Sequence, residues 1–378
     1  MTAPTVRRFI RVLSFLSIIL LFWRDLINLN EQMILSAGET TPPSDSFSAV
    51  AVSSEDNVAA SSRETSALLF TLTNNPFCNS LHGALARGSS ANRTMIHAFV
   101  SNSGHFPFLH NVLLTMIHNI EVTWTPLVLS LGEGVCPMLA NVTELQGHYI
   151  CVPYLERLLD QLQKYEPESV EQITTESELI TAPKNDSDHV GSDHHNHHTR
   201  FGNVDKTFFG WGSVEHKFLI NSKLYALLDI LECGADVFIT DTDIGFRKDP
   251  RPYFDVVGLS GDIAAQNDTN PRNYELSINS GFMYWKRTPQ NLDLIKDILT
   301  VPPFWHIDQS RVNTRMFQRK TPHTLLDAYI FPNGGMYNNH FDKLKDMVVF
   351  HANWNDKLHQ KQEMLQKSGL WLLNGTIS

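Results

Sequence analysis

The stretch Asp236-Val237-Phe238-Ile239-Thr240-Asp241-Thr242-Asp243 constrains this chain more than any other. Val237, Phe238 and Ile239 form the β-branched and aromatic run of a strand covered on both faces, which is what a helix-flanked parallel sheet demands. Two carboxylates one residue apart follow at the strand's carboxyl end, the edge where open α/β sheets bind ligands. At i and i+2, Asp241 and Asp243 can lean toward one point. Two hard oxygen ligands there suit Mn²⁺ or Mg²⁺, which also takes phosphate oxygens. Asp-x-Asp also arises by chance in acidic loops, so the metal–diphosphate reading depends on the rest of the chain.

The surrounding pattern is α/β. Met95–Val100 reads as a strand turning at Ser101-Asn102-Ser103-Gly104, Phe108–Ile120 has helical spacing, and Pro126–Leu131 is a second strand. Strand–helix–strand at this length predicts a parallel sheet. The first strand's exit would share an edge with Asp241, which makes Ser101 and Asn102 candidate nucleotide contacts; capping the next helix is the competing role. Glu215–Glu232 is an amphipathic helix stopped by Gly234. From 163 to 203 the pattern dissolves into acidic residues and the histidines His189, His194, His195, His197 and His198. A disordered surface insertion is expected there rather than a metal site.

The formal net charge of −10 argues against a nucleic-acid partner, and 42% hydrophobic residues support a sizeable core. Arg7, Arg8 and Arg11 precede the apolar run Val12–Trp23, which orients the N-terminus to the cytosol. An uncleaved signal anchor over 9–29 is favoured over a cleavable signal peptide. Residues 1–8 would be a cytosolic tail, 30–90 a disordered Ser/Thr/Ala/Pro-rich stem, and 91–378 the luminal domain. That is the plan of a single-pass type II membrane protein of the secretory pathway, with the short anchor leaning toward the Golgi. Five Asn-x-Ser/Thr triplets, at Asn92, Asn141, Asn185, Asn267 and Asn374, agree with that compartment. The four cysteines allow two disulfides, with Cys136–Cys151 the easiest to close. Cys233, in an apolar helical stretch, is expected as a buried thiol.

Beyond the acidic pair, an ordered series of motifs follows. Lys223 and Gly234–Ile244 are followed by Asn279-Ser280-Gly281-Phe282-Met283-Tyr284, Asp308-Gln309 and Leu326-Asp327 with Phe331-Pro332-Asn333-Gly334. His351-Ala352-Asn353-Trp354-Asn355, Lys361 and Gly369-Leu370-Trp371 close it. Together these resemble the nucleotide-diphospho-sugar transferase domain, which includes glycosyltransferase family 77. Asp356-Lys357 departs from it, since the family commonly has a glycine before its C-terminal lysine. The resemblance implies a GT-A type fold, a Rossmann-like, mostly parallel sheet flanked by helices. It also implies transfer of a sugar from a nucleotide diphosphate donor, UDP-linked, to a glycan or glycoprotein acceptor, with retention.

By that resemblance Asp241, Asp243 and His351 hold the cation and Lys361 meets the diphosphate. Unaided, His351 would read as structural and Lys361 as a surface charge. Asn279, Ser280 and Gly281 would touch the sugar, glycine allowing close backbone approach; a plain turn is the alternative. Asp308 and Gln309 would cross the sugar pocket, with Asp308 and Asn279 nearest the chemistry; a helix N-cap is the rival role for Asp308. Lys223 is a further donor-binding candidate. Trp211, Trp285, Trp305 and Trp354 would line an acceptor groove or sit in the core. Two other functions compete. A haloacid-dehalogenase-like phosphohydrolase would use Asp241 as nucleophile and Asp243 as acid/base, with Gly261-Asp262 as a later acidic motif. That fold opens with the acidic strand, whereas more than a hundred head residues precede Asp241 here, and Gly245 stands where Thr or Val is usual. A catalytically silent luminal protein would keep the fold to bind a glycan or partner.

Overall fold

Strand alternation divides the core between two faces of one sheet. The strands are β1 (Met95–Ser101), β2 (Leu127–Ser130), β3 (Ile150–Pro153), β4 (Asp236–Thr240), β5 (Ile244–Phe246), β6 (Ile263–Asn267), β7 (Ile278–Trp285), β8 (Thr324–Leu326) and β9 (Val349–His351). The computed structural model describes residues 77–82, 95–120, 125–166, 214–256, 262–268, 277–301, 307–355 and 357–374, all within the compact unit Ser61–Ser378. Seven strands pair in the order β3-β2-β1-β4-β7-β6-β8, and β5 pairs with β9 apart from them. Every neighbour pair in the large sheet is parallel except those made by β7.

Val237 and Ile239 point to one face, where they join Leu224, Leu228 and Leu231 of α4 (Val214–Glu232) and Ile295 and Ile298 of α6 (Pro289–Leu299). Phe238 points to the other, among Leu109, Val112 and Leu113 of α1 (Phe106–Asn119). The central strand is therefore buried on both sides, as its residue types demand. The remaining helices are α2 (Val135–Ala140), α3 (Leu155–Tyr165), α5 (Arg251–Val256), α7 (Asp308–Arg319), α8 (Gly334–His340) and α9 (Leu358–Lys367).

Two buried polar clusters fix α4, the helix that carries Lys223. Asp229 accepts hydrogen bonds from Tyr154 Oη at 2.7 Å, Arg157 Nη2 at 2.6 Å and Gln161 Nε2 at 2.6 Å, which locks α4 to α3. Arg311 of α7 donates to Asn221 Oδ1 at 2.7 Å and to Glu166 Oε1 at 2.6 Å, both buried. Interior ionic groups need such partners, because a single orphan is costly.

Cys136 and Cys151 form the expected disulfide. Cys233 does not remain a thiol: it is bonded to Cys78. Cys78 lies in a short helix over residues 77–82, inside the stretch read as stem, and Phe77, Cys78 and Leu81 are buried in the core. Local pattern sees the apolar helix around Cys233 but not a partner 155 residues away. Trp285 is fully buried and belongs to the core, while Trp211 and Trp305 lie outside the described residues. So do the tail, the anchor, most of the stem and residues 167–203 of the His-rich insertion; the first residues expected as disordered instead end α3, with Glu166 buried. Among the described residues no helix is long and apolar enough to cross a membrane. Asn141 and Asn374 are exposed, but Asn267 is half-buried in β6 opposite Ile278, not on the surface loop that glycosylation needs.

Candidate active site

The antiparallel strand builds the site. Because β7 runs against its neighbours, its first residues lie at the edge where β4 ends, and Asp241 N donates to Gly281 O at 2.8 Å. The small sheet brings the third part: Ile244 pairs with His351, and Ala352 N donates to the Asp243 carbonyl at 2.9 Å. Ligand atoms of Asp241, Asp243 and His351 consequently gather within 4.8 Å of one another. Only glycine fits beneath them, since a Cβ on Gly281 would overlap His351 Cε1 and Asp241 Oδ2.

The histidine's protonation follows from its partners. Gln266 donates through Nε2 to the Phe331 carbonyl at 3.0 Å, which orients its amide so that Oε1 faces His351 Nδ1 at 2.9 Å. An amide oxygen accepts only, so Nδ1 carries a proton and Nε2 is the nitrogen turned toward the carboxylates. That Nε2 is buried without a hydrogen-bond partner, 3.2 Å from Asp243 Oδ1 and 3.7 Å from Asp241 Oδ2. One imidazole nitrogen and two carboxylates gathered this closely make a donor set that a cation could bridge. The residues fit a hard or borderline divalent ion, with the outer nitrogen of the histidine anchored as metal-binding histidines are.

Counter-charges flank the cluster. Lys223 Nζ pairs with Asp241 Oδ1 and with Asp308 Oδ2, the latter at 2.9 Å, while Lys361 Nζ meets Asp243 Oδ2 at 2.7 Å. Burial pushes the Asp243 carboxyl up, but Lys361 and His351 outweigh it and hold it well below the usual carboxylate range. Burial pulls the Lys223 ammonium down, yet Asp241 and Asp308 keep it above its ordinary value. These groups line a cleft of about 480 Å³, large enough for a nucleotide and a sugar. Four carboxylates, of Asp241, Asp243, Asp268 and Asp308, face the two ammonium groups of Lys223 and Lys361 there. His105 and His216 add no charge at neutral pH: burial, then Lys361, lowers His105 to about 4, and burial also lowers His216. The excess of two negative charges suits one divalent cation.

The cleft also gathers Asn279, Ser280, Asp308 and Gln309 as the motif series predicts. Asp308 opens α7 in its first turn, but Ile307 is the N-cap, so the rival capping role falls away. Asn279 Oδ1 accepts from Gly281 N at 2.8 Å, and its Nδ2 donates to Asp268 Oδ1 at 2.8 Å. Ser101 and Asn102 are not brought to the cleft wall. Ser101 is buried, and Asn102 caps the turn by accepting from His105 N at 3.2 Å and bonding His105 Nδ1 at 2.7 Å, so His105 reaches the cleft instead.

Sequence reading missed Asp268, taken only as the middle of a glycosylation triplet. Its carboxylate accepts from Asn279, Gln309 Nε2 at 2.8 Å, Asn333 Nδ2 at 3.1 Å and Trp354 Nε1 at 3.1 Å. Nothing local marks it, since its donors come from four separate segments. His105 and His216 were missed for the same reason. Asp356, in the loop where the departure from the family pattern falls, lies outside the described residues; Trp354, two residues earlier, is left-handed at φ 63°.

The geometry defines a class first: an α/β domain whose cleft joins an Asp-Asp-His cluster that could hold a cation to a pocket of carboxylates and amides. Residues 186–365 match the family model described as nucleotide-diphospho-sugar transferase. One sequence relative is the UDP-galactose:fucoside alpha-3-galactosyltransferase of Dictyostelium discoideum, 24% identical over 197 residues. That match covers 43% of this chain and 29% of the relative, so under a third of that protein is represented here. Among solved structures, mouse xyloside xylosyltransferase 1 in its apo form is 12% identical, with a TM-score of 0.41 over 70% of this chain and 99% of that one. The apo glycosyltransferase GlyE of Streptococcus pneumoniae TIGR4 is 11% identical, with a TM-score of 0.42 over 75% and 61%.

Proposed function

We propose that this chain is a metal-dependent glycosyltransferase of GT-A type. It moves a sugar from a UDP-linked donor to a glycan or glycoprotein hydroxyl, with retention. The observation that carries the reading is the convergence of Asp241, Asp243 and His351, whose ligand atoms lie within 4.8 Å of one another. Those three side chains would hold Mn²⁺ or Mg²⁺, which when bound offsets the charge that grows on the departing diphosphate. Lys361 supplies a second cation at the same place. Lys223 pairs with Asp241 and Asp308 and holds both at the cleft. Asp308 and Asn279, with Gln309 beside them, face the sugar, where a carboxylate steadies an oxocarbenium-like centre. The phosphohydrolase alternative requires the acidic strand to open the domain, and three strands precede it here.

Membrane anchorage through 9–29 and Golgi residence belong to the same proposal. The pairing of all four cysteines supports an oxidising compartment. UDP-galactose is the first donor to try, with UDP-xylose and UDP-arabinose beside it. The purified chain with Mn²⁺ should slowly release UDP from one of them. Asp243→Ala should abolish release while keeping its circular dichroism spectrum. Silence on all three donors, with no metal-dependent nucleotide binding, would favour a binding protein of the same fold. Hydrolysis of p-nitrophenyl phosphate that Asp241→Ala removes would favour the phosphatase.

A further inference from the structure

We infer that Trp354 is the platform on which the acceptor sugar rests, an inference that builds on the transferase reading and names the acceptor's side of the cleft. The residue is 49% exposed and lies at the cleft wall. Its backbone is left-handed, a conformation that a bulky residue leaves unless its surroundings hold it, and such residues cluster at ligand clamps.

Two contacts hold Trp354. Nε1–H donates to Asp268 Oδ1 at 3.1 Å, which pins one edge of the ring. Gly335 of α8 lies against the ring, where a Cβ would come within 3.6 Å of indole Cδ2 and Cε2. The ring is therefore fixed at one edge and backed by a glycine, while about half of the residue stays open.

The groups at its edge decide what the platform takes. Asp268 bonds Trp354, Asn279 and Gln309 at once, so a carboxylate and several amides rim the aromatic surface. A pyranose is amphipathic in the matching sense: its C–H face packs on an aromatic plane while its hydroxyls donate to carboxylates at the rim. Asp268 also sets the distance to the chemistry. Another of its donors, Asn279, is bonded to Gly281, which lies against both Asp241 and His351. A sugar on the indole thus stands a short hydrogen-bonded chain from the reacting centre. The acidic rim disfavours the donor's diphosphate on this side.

The test separates acceptor from donor. UDP release from UDP-galactose, UDP-xylose and UDP-arabinose by the full chain with Mn²⁺ is measured alone, then with methyl α-L-fucoside, methyl β-D-xyloside or methyl β-D-galactoside added. One glycoside should accelerate wild-type release. Trp354→Ala should raise that glycoside's KM by about tenfold, Trp354→Phe by about threefold or less. Release without glycoside, and Mn²⁺-dependent affinity for UDP, should fall by far less in both variants. The inference is overturned if Trp354→Ala keeps the wild-type KM. It is equally overturned if affinity for UDP falls in step, which would mark a base-stacking residue, or if no glycoside accelerates a wild type that does release UDP. A wild type that releases no UDP from any donor defeats the transferase reading itself, which is a distinct result.

Discussion

Replacing Gly281 by alanine places a methyl group at the tightest point of the site. The new Cβ would overlap His351 Cε1 and Asp241 Oδ2 and come 3.0 Å from Asn279 Oδ1. None of these yields freely. His351 is tied to Gln266 at 2.9 Å, Asp241 is held by Lys223 and by its backbone bond to Gly281, and Asn279 is bonded to Asp268. Relief must come from driving the imidazole and the carboxylate apart. Overpacking of this kind costs about 1–3 kcal/mol, which lowers the melting temperature by roughly 2–8 °C in a domain this large. Displaced ligand atoms cost more specifically, about 10–100-fold in metal affinity. Electron paramagnetic resonance of free Mn²⁺ during a titration reads the affinity, and circular dichroism reads the melt. The expected variant is folded, slightly less stable and a much weaker Mn²⁺ binder. An alanine variant with wild-type Mn²⁺ affinity would refute the reasoning, because the three side chains could not then be converging on one ion.

Two further outcomes follow from groups outside the cleft. His97 is fully buried beside Thr240 Oγ1 at 2.9 Å, and burial, then Arg251, lowers its pKa from 6.5 to about 3. The fold therefore holds the neutral ring: its contribution is complete above pH 6.5 and is lost as pH falls toward 3, up to on the order of 5 kcal/mol. His97→Leu should flatten stability across that window in urea melts at stepped pH, and an unchanged slope would contradict the assignment. The Cys78–Cys233 bond closes 155 residues, so Cys78→Ser with Cys233→Ser should cost roughly 3–5 kcal/mol by urea unfolding; an unmoved midpoint would show that the bond does not form.

What was legible in the sequence was whatever burial writes locally. Val237, Phe238 and Ile239 announced a strand covered on both faces, and the apolar spacing from Glu215 to Glu232 announced α4 to within a residue. The direction of β7 was not legible, because a strand buried on both faces reads alike in either sense, and that reversal is what brings Asn279 and Gly281 beside Asp241. His351 and Lys361 came from resemblance to a family, since a histidine ending a strand and a lysine in a polar helix look ordinary alone. The role of Asp268, the partner of Cys78 and the left-handed backbone of Trp354 stayed hidden because each is defined by contacts with distant segments. A lone aspartate carries no mark of donors converging from β7, α7, the start of α8 and the loop after β9.

The central claim is that a divalent ion sits among Asp241, Asp243 and His351 and carries the donor's diphosphate. Anomalous diffraction at the manganese edge, from crystals of the purified chain grown with Mn²⁺ and UDP, tests it most directly. A single strong peak bonded to those three side chains, with diphosphate oxygens on its remaining positions and Lys361 turned toward them, is the result predicted here. UDP seated in the cleft with no anomalous peak between the two aspartates and the histidine would contradict it.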